Sequence, residues 1–393
     1  MPIKVHPLIP NPPFSKKEFD YRTENVRKEM KGKGLDAILL YAPENIFYLT
    51  GFQTTGYFTY QTLVVPVDSP PFLVVRRIEE MNVKTTSIVN DYTLYVDAQD
   101  PIEMTVKALE ERGLANGSVG VEMDSWFLTV AQFQRLQTLL GGRTFVDCTG
   151  MVEKFRIIKS PAELQYMKKA AEIAEKSMAA AIEAAELGKT EDDVAAAAHF
   201  AAITNGSTYL ASPPQLTTGT KTGDSHQWWE GGRIECGNPV FLELGACVKR
   251  YHAAMMRAGF VGPPTNEFRR MGEACKQGFE AGLSAMKPGA KAGDVYRAVA
   301  KELGNAGFGE HVRGRAARTG YSIGIAFPPG WDEGDIISLR DGDPTTLQPG
   351  MTFHLISSIR IPGRISAGCS ETVVVREDGA ESLMKFDRGI FIN

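Results

Sequence analysis

The sequence predicts a two-domain protein, with an α/β domain over residues 1–155 and an α+β domain over residues 156–393. Two observations lead to this fold class. The 393 residues exceed the size at which a single hydrophobic core is usual. Strand-like and helix-like patterns alternate before residue 155, whereas helices and strands come in separate runs after it.

The first domain opens with a polar amphipathic helix pattern. Apolar runs follow it, and further helical patterns come after these runs. Strands that alternate with helices are typical of a sheet that is largely buried. The helical patterns cover residues 16–34, 101–112 and 128–140, and the apolar runs cover 37–41, 47–51, 60–67 and 72–75.

The second domain begins with a helix whose start has a clear signature. Ser160 offers a capping hydroxyl, Pro161 suits the first helical position, and Glu163 can bond back to the cap. Alanine, glutamate and lysine then favour a long helix that stops at Gly188. Further helices are predicted at 190–204, 267–286 and 292–306, and strands at 239–247, 252–260, 352–360 and 371–376.

Composition narrows the function classes. Hydrophobic residues make up 43% of the chain, charged residues 23%, and the net charge is −4, as in ordinary globular proteins. No basic cluster predicts nucleic-acid or membrane-surface binding, and no apolar run has the roughly 20 residues of a transmembrane helix. The N-terminus lacks the apolar core of a signal peptide, and the five cysteines form no CxxC pair. The expected location is the reducing cytoplasm.

The segment 240–260 is the first candidate for a functional site. Two apolar-rich runs flank a turn and predict a β-hairpin. In a metallohydrolase, such a hairpin would direct two acidic side chains into one cleft. Here the first position is Glu243, and eleven residues later stands Ala254, which cannot bind a metal.

An ordered set of motifs carries a resemblance that spans essentially the whole chain. The motifs are YAPENIFYLTGF in the first domain, RIIKSPAEL at the joint, and HQWWEGGRIECGNPVFLELGA, GYSIG, LQPGM and SETVVVREDG in the second. Together they resemble the creatinase/aminopeptidase P/prolidase superfamily. The resemblance implies a pita-bread catalytic domain behind a smaller α/β domain. It also implies a homodimer in which the N-terminal domain contributes to the active site of the partner subunit.

The metallopeptidases of this superfamily hold two metal ions with two aspartates, one histidine and two glutamates. Hard divalent ions need several oxygen or imidazole ligands at once. By register with the motifs, the five positions are occupied by Glu243, Ala254, Tyr321, Ile356 and Ser370, the last with Glu371 beside it. One carboxylate out of five does not make a dinuclear site, so we expect no metal and no other cofactor.

The metal-free branch of the superfamily contains the creatinases, and the ectoine hydrolases resemble them in lacking the ligands. Both hydrolyse a C–N bond at a guanidine or amidine carbon. Creatinase glutamates fall on Met256 and Ile356 here, and a creatinase arginine falls on Thr59, which disfavours creatine. HQWWEGGRIE, FLELGACVKRYHA, GYSIGIAFPPGW and LQPGMTFHL resemble the ectoine hydrolase segments more closely. The implied substrate is a cyclic amidine with one carboxylate, opened by water to an N-acetylated diamino acid.

Amidine hydrolysis calls for a nucleophile, a base and an anion that holds the cation. Glu243 is expected to grip the amidinium or to attack its carbon, with Glu371 as a second carboxylate. The candidate catalytic residues are His226 as acid–base, Glu243, Glu371 and Tyr321 as donor to the tetrahedral intermediate. The candidate substrate-binding residues are His252, His354, Trp228 and Tyr57, the last across a dimer.

Structural roles compete with each of these assignments. His226 could be an ordinary surface histidine and is assigned to the site mainly by its register with the creatinase histidine, and Tyr321 could simply fill the space of the former metal site. Glu243 could pair with Arg250 or Arg257. Glu371 could pair with Arg360 or Arg364, and the two histidines could bond to a neighbouring strand. Trp228 could be a packing residue, and Tyr57 could belong to an aromatic strand of the first domain.

Three further functions stay open beside the ectoine hydrolase hypothesis: a creatinase-like hydrolase of another small guanidine or amidine, an Xaa-Pro dipeptidase with unusual ligands, and a binding protein without activity. The sequence also leaves open which ring C–N bond is broken.

Overall fold

The computed structural model describes residues 11–114, 116–313, 318–333 and 336–393. The chain divides into two units, Met1–Arg156 and Ile157–Asn393. The division lies one residue from the boundary that the sequence predicts.

The N-terminal unit contains a mixed six-stranded sheet with helices between its strands, as the α/β prediction requires. The strand order is β4-β3-β2-β1-β5-β6, with β2 antiparallel to both of its neighbours and the other pairs parallel. The strands are β1 (Ala37–Leu40), β2 (Thr62–Pro66), β3 (Phe72–Arg76), β4 (Tyr92–Tyr95), β5 (Ser118–Val121) and β6 (Thr144–Asp147). The helices are α1 (Lys16–Gly32), α2 (Pro43–Thr50), α3 (Glu80–Thr86), α4 (Pro101–Glu111), α5 (Val130–Leu139) and α6 (Glu153–Arg156).

The C-terminal unit is built on a larger sheet in which all strand pairs except β9 with β15 are antiparallel. A mostly antiparallel sheet with separate runs of helices confirms the α+β prediction. Its main path is β11-β10-β12-β13-β9-β8-β7, while β14 pairs with β13 and β15 with β9. The strands are β7 (Gln215–Thr218), β8 (Pro239–Val248), β9 (Tyr251–Phe260), β10 (Arg318–Ser322), β11 (Ser338–Arg340), β12 (Thr352–Ile361), β13 (Ile365–Arg376), β14 (Gly379–Ser382) and β15 (Phe391–Ile392). The helices are α7 (Pro161–Ala184), α8 (Glu191–Thr204), α9 (Asn266–Ala285), α10 (Ala292–Asn305) and α11 (Gly309–Arg313).

Helix α7 starts where the sequence predicts. The Ser160 hydroxyl accepts a hydrogen bond from the Glu163 backbone, and the Glu163 carboxylate accepts one from the Ser160 backbone. The helix ends at Ala184, four residues before the predicted stop at Gly188. Gly188 lies in the following loop, where its N–H donates to the Ile234 carbonyl oxygen.

Helices cover one face of the large sheet, and this leaves the other face for a site. Helices α9 and α10 bury Phe279 and Val299 against Leu355 and Val373 of β12 and β13. Helices α7 and α8 form a second apolar cluster with β8 and β9. Because side chains alternate along a strand, the intervening residues of these strands point away from the helices. In the described part of the chain, no helix is long and apolar enough to cross a membrane.

Candidate active site

A cavity of about 850 Å³ opens on the sheet face that points away from the helices. Its floor comes from strands β7, β8, β9 and β12, and its walls come from segments 212–214, 225–228 and 329–332. Four sequence-predicted site residues line it, namely His226, Trp228, Glu243 and Tyr321.

Strand register explains which side chains meet in this cavity. Gln215 of β7 pairs with Glu243, Glu243 with Met256, Met256 with Ser370, and Ser370 with Ile356 of β12. Directly paired residues of neighbouring strands point to the same face of a sheet. All of this row except Ser370 lines the cavity, so positions distant in sequence form one floor.

Glu243 places a buried carboxylate on this floor. Its side chain is only 7% exposed and makes no hydrogen bond or ion pair with any residue that the structure describes. Burial raises the pKa of the Glu243 carboxyl, and the positive charge of Arg360 partly opposes that rise. An unpaired buried carboxylate is costly, so it needs a ligand or a functional reason.

The alternative structural partners of Glu243 are engaged elsewhere. Arg250 donates to the carbonyl oxygens of Ala326 and Tyr209, at 2.6–3.0 Å. Arg257 forms an ion pair with Glu371, not with Glu243. The structure therefore contradicts the structural pairing of Glu243 with either arginine.

Glu371 lies on the opposite face of the sheet from Glu243. Its fully buried carboxylate accepts from Arg257 Nη2 at 2.5 Å, from Arg388 Nη2 at 2.8 Å and from Ser382 Oγ at 2.6 Å. It follows Ser370, which faces the cavity side, and successive strand residues point to opposite faces. Glu371 is thus not brought to the cavity, and its arginine partners differ from the two predicted ones.

Tyr321 closes one side of the cavity through a buried hydrogen-bonded chain. Its hydroxyl accepts from Trp331 Nε1 at 3.0 Å and lies 2.9 Å from His354 Nδ1. The other ring nitrogen, Nε2, lies 2.5 Å from Ser370 Oγ. Burial, and to a smaller degree Arg318, lowers the pKa of His354 to about 3, while burial raises that of Tyr321 above its usual value. Both groups are therefore neutral near pH 7.

Neither His252 nor His354 lines the cavity, contrary to their predicted binding roles. His354 is fully buried behind Tyr321. His252 lies 3.0 Å from the Arg250 carbonyl through Nδ1, and its Nε2 accepts from the Ala211 N–H at 3.1 Å. Burial lowers the pKa of His252 to about 3. His252 therefore ties the segment before β7 to the start of β9.

His226 and Trp228 stand on the wall segment 225–228. His226 is exposed and has a φ of 57°, a conformation that few non-glycine residues adopt. Trp228 is 54% exposed and also lines the cavity, so it is not a core residue. Tyr57 belongs to the N-terminal unit, where its ring meets Phe58 and Phe127 edge-on. Its contribution to a partner's site stays a prediction.

Two cavity arginines were not assigned to the site from sequence. Arg318 forms an ion pair with Asp332 at 3.2 Å, and its guanidinium lies 4.5 Å from the Tyr321 ring centroid. Arg360 follows Ile356 by four residues on β12, and both line the cavity. Strand alternation from Ile356 along the predicted strand 352–360 was the signal that could have placed Arg360 on this face.

The donor set does not fit a dinuclear metal site. Of the five superfamily positions, Ala254 and Ile356 offer no ligand atom, and Glu243 alone offers a carboxylate. Within residues 11–114, 116–313, 318–333 and 336–393, no three histidine, cysteine, aspartate or glutamate side chains are grouped so that they could hold a metal ion. These residues therefore offer no place for the metal pair of the metallopeptidases.

Comparisons with known proteins agree with this geometry. Residues 165–377 match the family "Metallopeptidase family M24", and residues 22–158 match "Creatinase/Prolidase N-terminal domain". The ectoine hydrolase of Halomonas elongata is 31% identical over 97% of this chain and 98% of its own. A creatinase from a Bacillus species is 28% identical, covering 96% and 93%. The prolidase of Thermococcus sibiricus superposes with a TM-score of 0.85 at 21% identity, covering 96% and 100%, and shares the pita-bread fold.

Proposed function

We propose that this chain, a hydrolase that belongs to metallopeptidase family M24 and carries a creatinase/prolidase N-terminal domain, opens a small cyclic amidine without a metal ion. The observation that carries the proposal is the buried, unpaired carboxylate of Glu243 on the cavity floor. The similarity to an ectoine hydrolase makes ectoine the first substrate to test.

The reaction adds one water molecule to the amidine carbon and breaks one ring C–N bond. The tetrahedral carbon collapses to an amide, and the leaving nitrogen takes a proton and becomes an amine. Glu243 can hold the amidinium through charge-assisted hydrogen bonds, or attack its carbon before water completes the hydrolysis. In the proposed scheme His226 accepts the proton from water and returns it to the leaving nitrogen.

Tyr321 is the proposed hydrogen-bond donor to the reacting group. When His354 carries its proton on Nδ1, the Tyr321 oxygen accepts from both Trp331 and His354. The hydroxyl hydrogen of Tyr321 is then free to point into the cavity. A fixed donor of this kind stabilises charge that develops during the reaction.

A substrate panel with and without chelator tests the proposed function. We expect the purified protein to convert ectoine to an N-acetyl-diaminobutyrate, detected by NMR, at a rate that EDTA does not change. Creatine should not turn over, because Met256 and Ile356 offer its guanidinium no carboxylate. An Xaa-Pro dipeptide should stay intact even with added manganese. Manganese-dependent cleavage of the dipeptide, or ectoine turnover that EDTA stops, would contradict the proposal.

The His226→Asn variant tests the acid–base assignment. We expect kcat for ectoine to fall by roughly 10²- to 10⁴-fold, the usual contribution of a positioned acid–base group. Asparagine adopts a positive φ more readily than most residues, so the turn at this position should persist. The matched control is His311→Asn, which removes a histidine that lies beside Glu310 and does not line the cavity. Equal turnover in both variants would remove His226 from the mechanism.

A further inference from the structure

Like Glu243, Arg360 is a charged group of the cavity that forms no ion pair with any residue that the structure describes. Its side chain points to the same sheet face as Ile356 and Ser358, and all three line the cavity. We propose that Arg360 binds the carboxylate of the substrate while Glu243 takes its cationic group, so that the cavity selects zwitterions. This inference rests on the proposed function, because it assigns a second contact to the same substrate.

The contacts of Arg360 leave part of its guanidinium available. Nη1 donates to the carbonyl oxygens of Thr222, at 3.4 Å, and Asp224, at 3.0 Å. The guanidinium also lies 4.3 Å from the centroid of the Phe241 ring. Nε and Nη2 have no hydrogen bond within the described part of the chain, and neither is sealed from solvent. These two atoms form the edge with which an arginine binds a carboxylate in a bidentate manner.

The charges of the cavity are complementary to a zwitterion. Glu243 and Arg360 influence each other's pKa, yet they form no direct ion pair among the described residues. Burial lowers the pKa of Arg360, and the negative charges of Glu243 and Asp224 only partly oppose that fall. A ligand with an amidinium at one end and a carboxylate at the other would give both groups a partner. Arg318 is less suited to this role because it already pairs with Asp332.

A structural role for Arg360 makes a different prediction. Its bonds to Thr222 and Asp224 hold the segment that leads to His226. If this were its whole role, substitution would weaken every ligand equally, with or without a carboxylate. A carboxylate-binding role predicts a loss for zwitterions alone.

Two matched ligand pairs separate these roles. One pair is ectoine and 2-methyl-1,4,5,6-tetrahydropyrimidine, the same ring without its carboxylate. The other is creatine and N,N-dimethylguanidine, used as binding probes. Dissociation constants are measured for ligands that are not hydrolysed, and kcat/KM for those that are. The variants are Arg360→Gln and the charge-retaining Arg360→Lys, with Arg364→Gln as control because Arg364 pairs with Glu267 and does not line the cavity.

We expect the unmodified protein to prefer the zwitterion by about 10- to 100-fold in at least one pair, the usual worth of charged hydrogen bonds. Arg360→Gln should bring that ratio close to one, Arg360→Lys should restore part of it, and Arg364→Gln should leave it unchanged. Equal losses for both members of a pair would overturn the inference, as would the absence of any zwitterion preference in the unmodified protein. A preference that depends on Arg360 without any ectoine hydrolysis would support Arg360 and contradict the proposed function.

Discussion

The Glu243→Gln variant is expected to lose ectoine turnover by roughly 10³-fold while its free energy of unfolding stays the same or increases. Glutamine keeps the shape of the side chain but cannot neutralise an amidinium or attack its carbon, and preorganised charges contribute effects of this size. Replacing a carboxylate with a structural role would instead lower the free energy of unfolding. Glu243 has no partner among the described residues, so only the cost of burying its charge is removed.

The pH dependence of Glu243 follows from the same burial. Its raised pKa means that the carboxyl becomes protonated at a higher pH than an exposed glutamate does. We therefore expect kcat/KM to fall as the pH drops through this raised pKa. Stability changes with pH in the opposite direction from activity. Between the ordinary and the raised pKa, the folded chain holds a proton on Glu243 that the unfolded chain releases, so the free energy of unfolding falls as the pH rises. The unmodified protein should lose stability relative to Glu243→Gln as the pH rises from the ordinary glutamate pKa through the raised one.

NMR kinetics and urea unfolding at several pH values provide the measurement. Glu235→Gln serves as control, because Glu235 is exposed, precedes β8 and does not line the cavity. Turnover that survives in Glu243→Gln, together with a loss of stability, would show that Glu243 is a structural residue.

The Glu371→Gln variant is expected to lose about 3–5 kcal/mol of unfolding free energy, the cost of leaving a buried ion pair without one partner. Its carboxylate neutralises Arg257, which is only 1% exposed, and also binds Arg388. Glutamine removes the charge but leaves both guanidinium groups in place. Urea unfolding measures the loss.

A surface pair supplies the control for this second variant. Glu267→Gln removes the exposed partner of Arg364 and should change stability by less than about 1 kcal/mol. If Glu371→Gln does not fold, Glu371→Asp keeps the charge and should recover part of the stability. A Glu371→Gln protein with unchanged stability and lost turnover would return Glu371 to the catalytic group.

The fold could be predicted where it depends on local sequence patterns, such as helix caps and apolar runs, or on motifs shared with the family. The capping pair Ser160 and Glu163 marks the start of α7, and the runs around 240–260 mark the hairpin that carries Glu243. The ordered motifs predicted the pita-bread fold and placed Glu243 and Tyr321 at positions that the structure brings to one cavity.

The errors arose where a side chain's role depends on the face of a strand. Glu371 differs from Ser370 by one position, and that step turns it from the cavity side to Arg257 and Arg388. His252 and His354 are held by hydrogen bonds to Ala211 and Ser370, which lie 41 and 16 positions away. Such partners follow from register between strands and leave no trace in local sequence.

The alternation along β12 has a consequence for redesign of this protein. Ile356, Ser358 and Arg360 face the cavity, whereas Leu355 and Ile359 at the alternate positions are buried in the helix-covered core. A saturation library at the three cavity positions would therefore sample new pocket shapes and charges without disturbing the apolar packing that keeps the strand in place. Substrate preference depends on the cavity-facing side chains of this strand, and thermal stability depends on its core-facing ones. Each property can therefore be changed by substitution with little effect on the other.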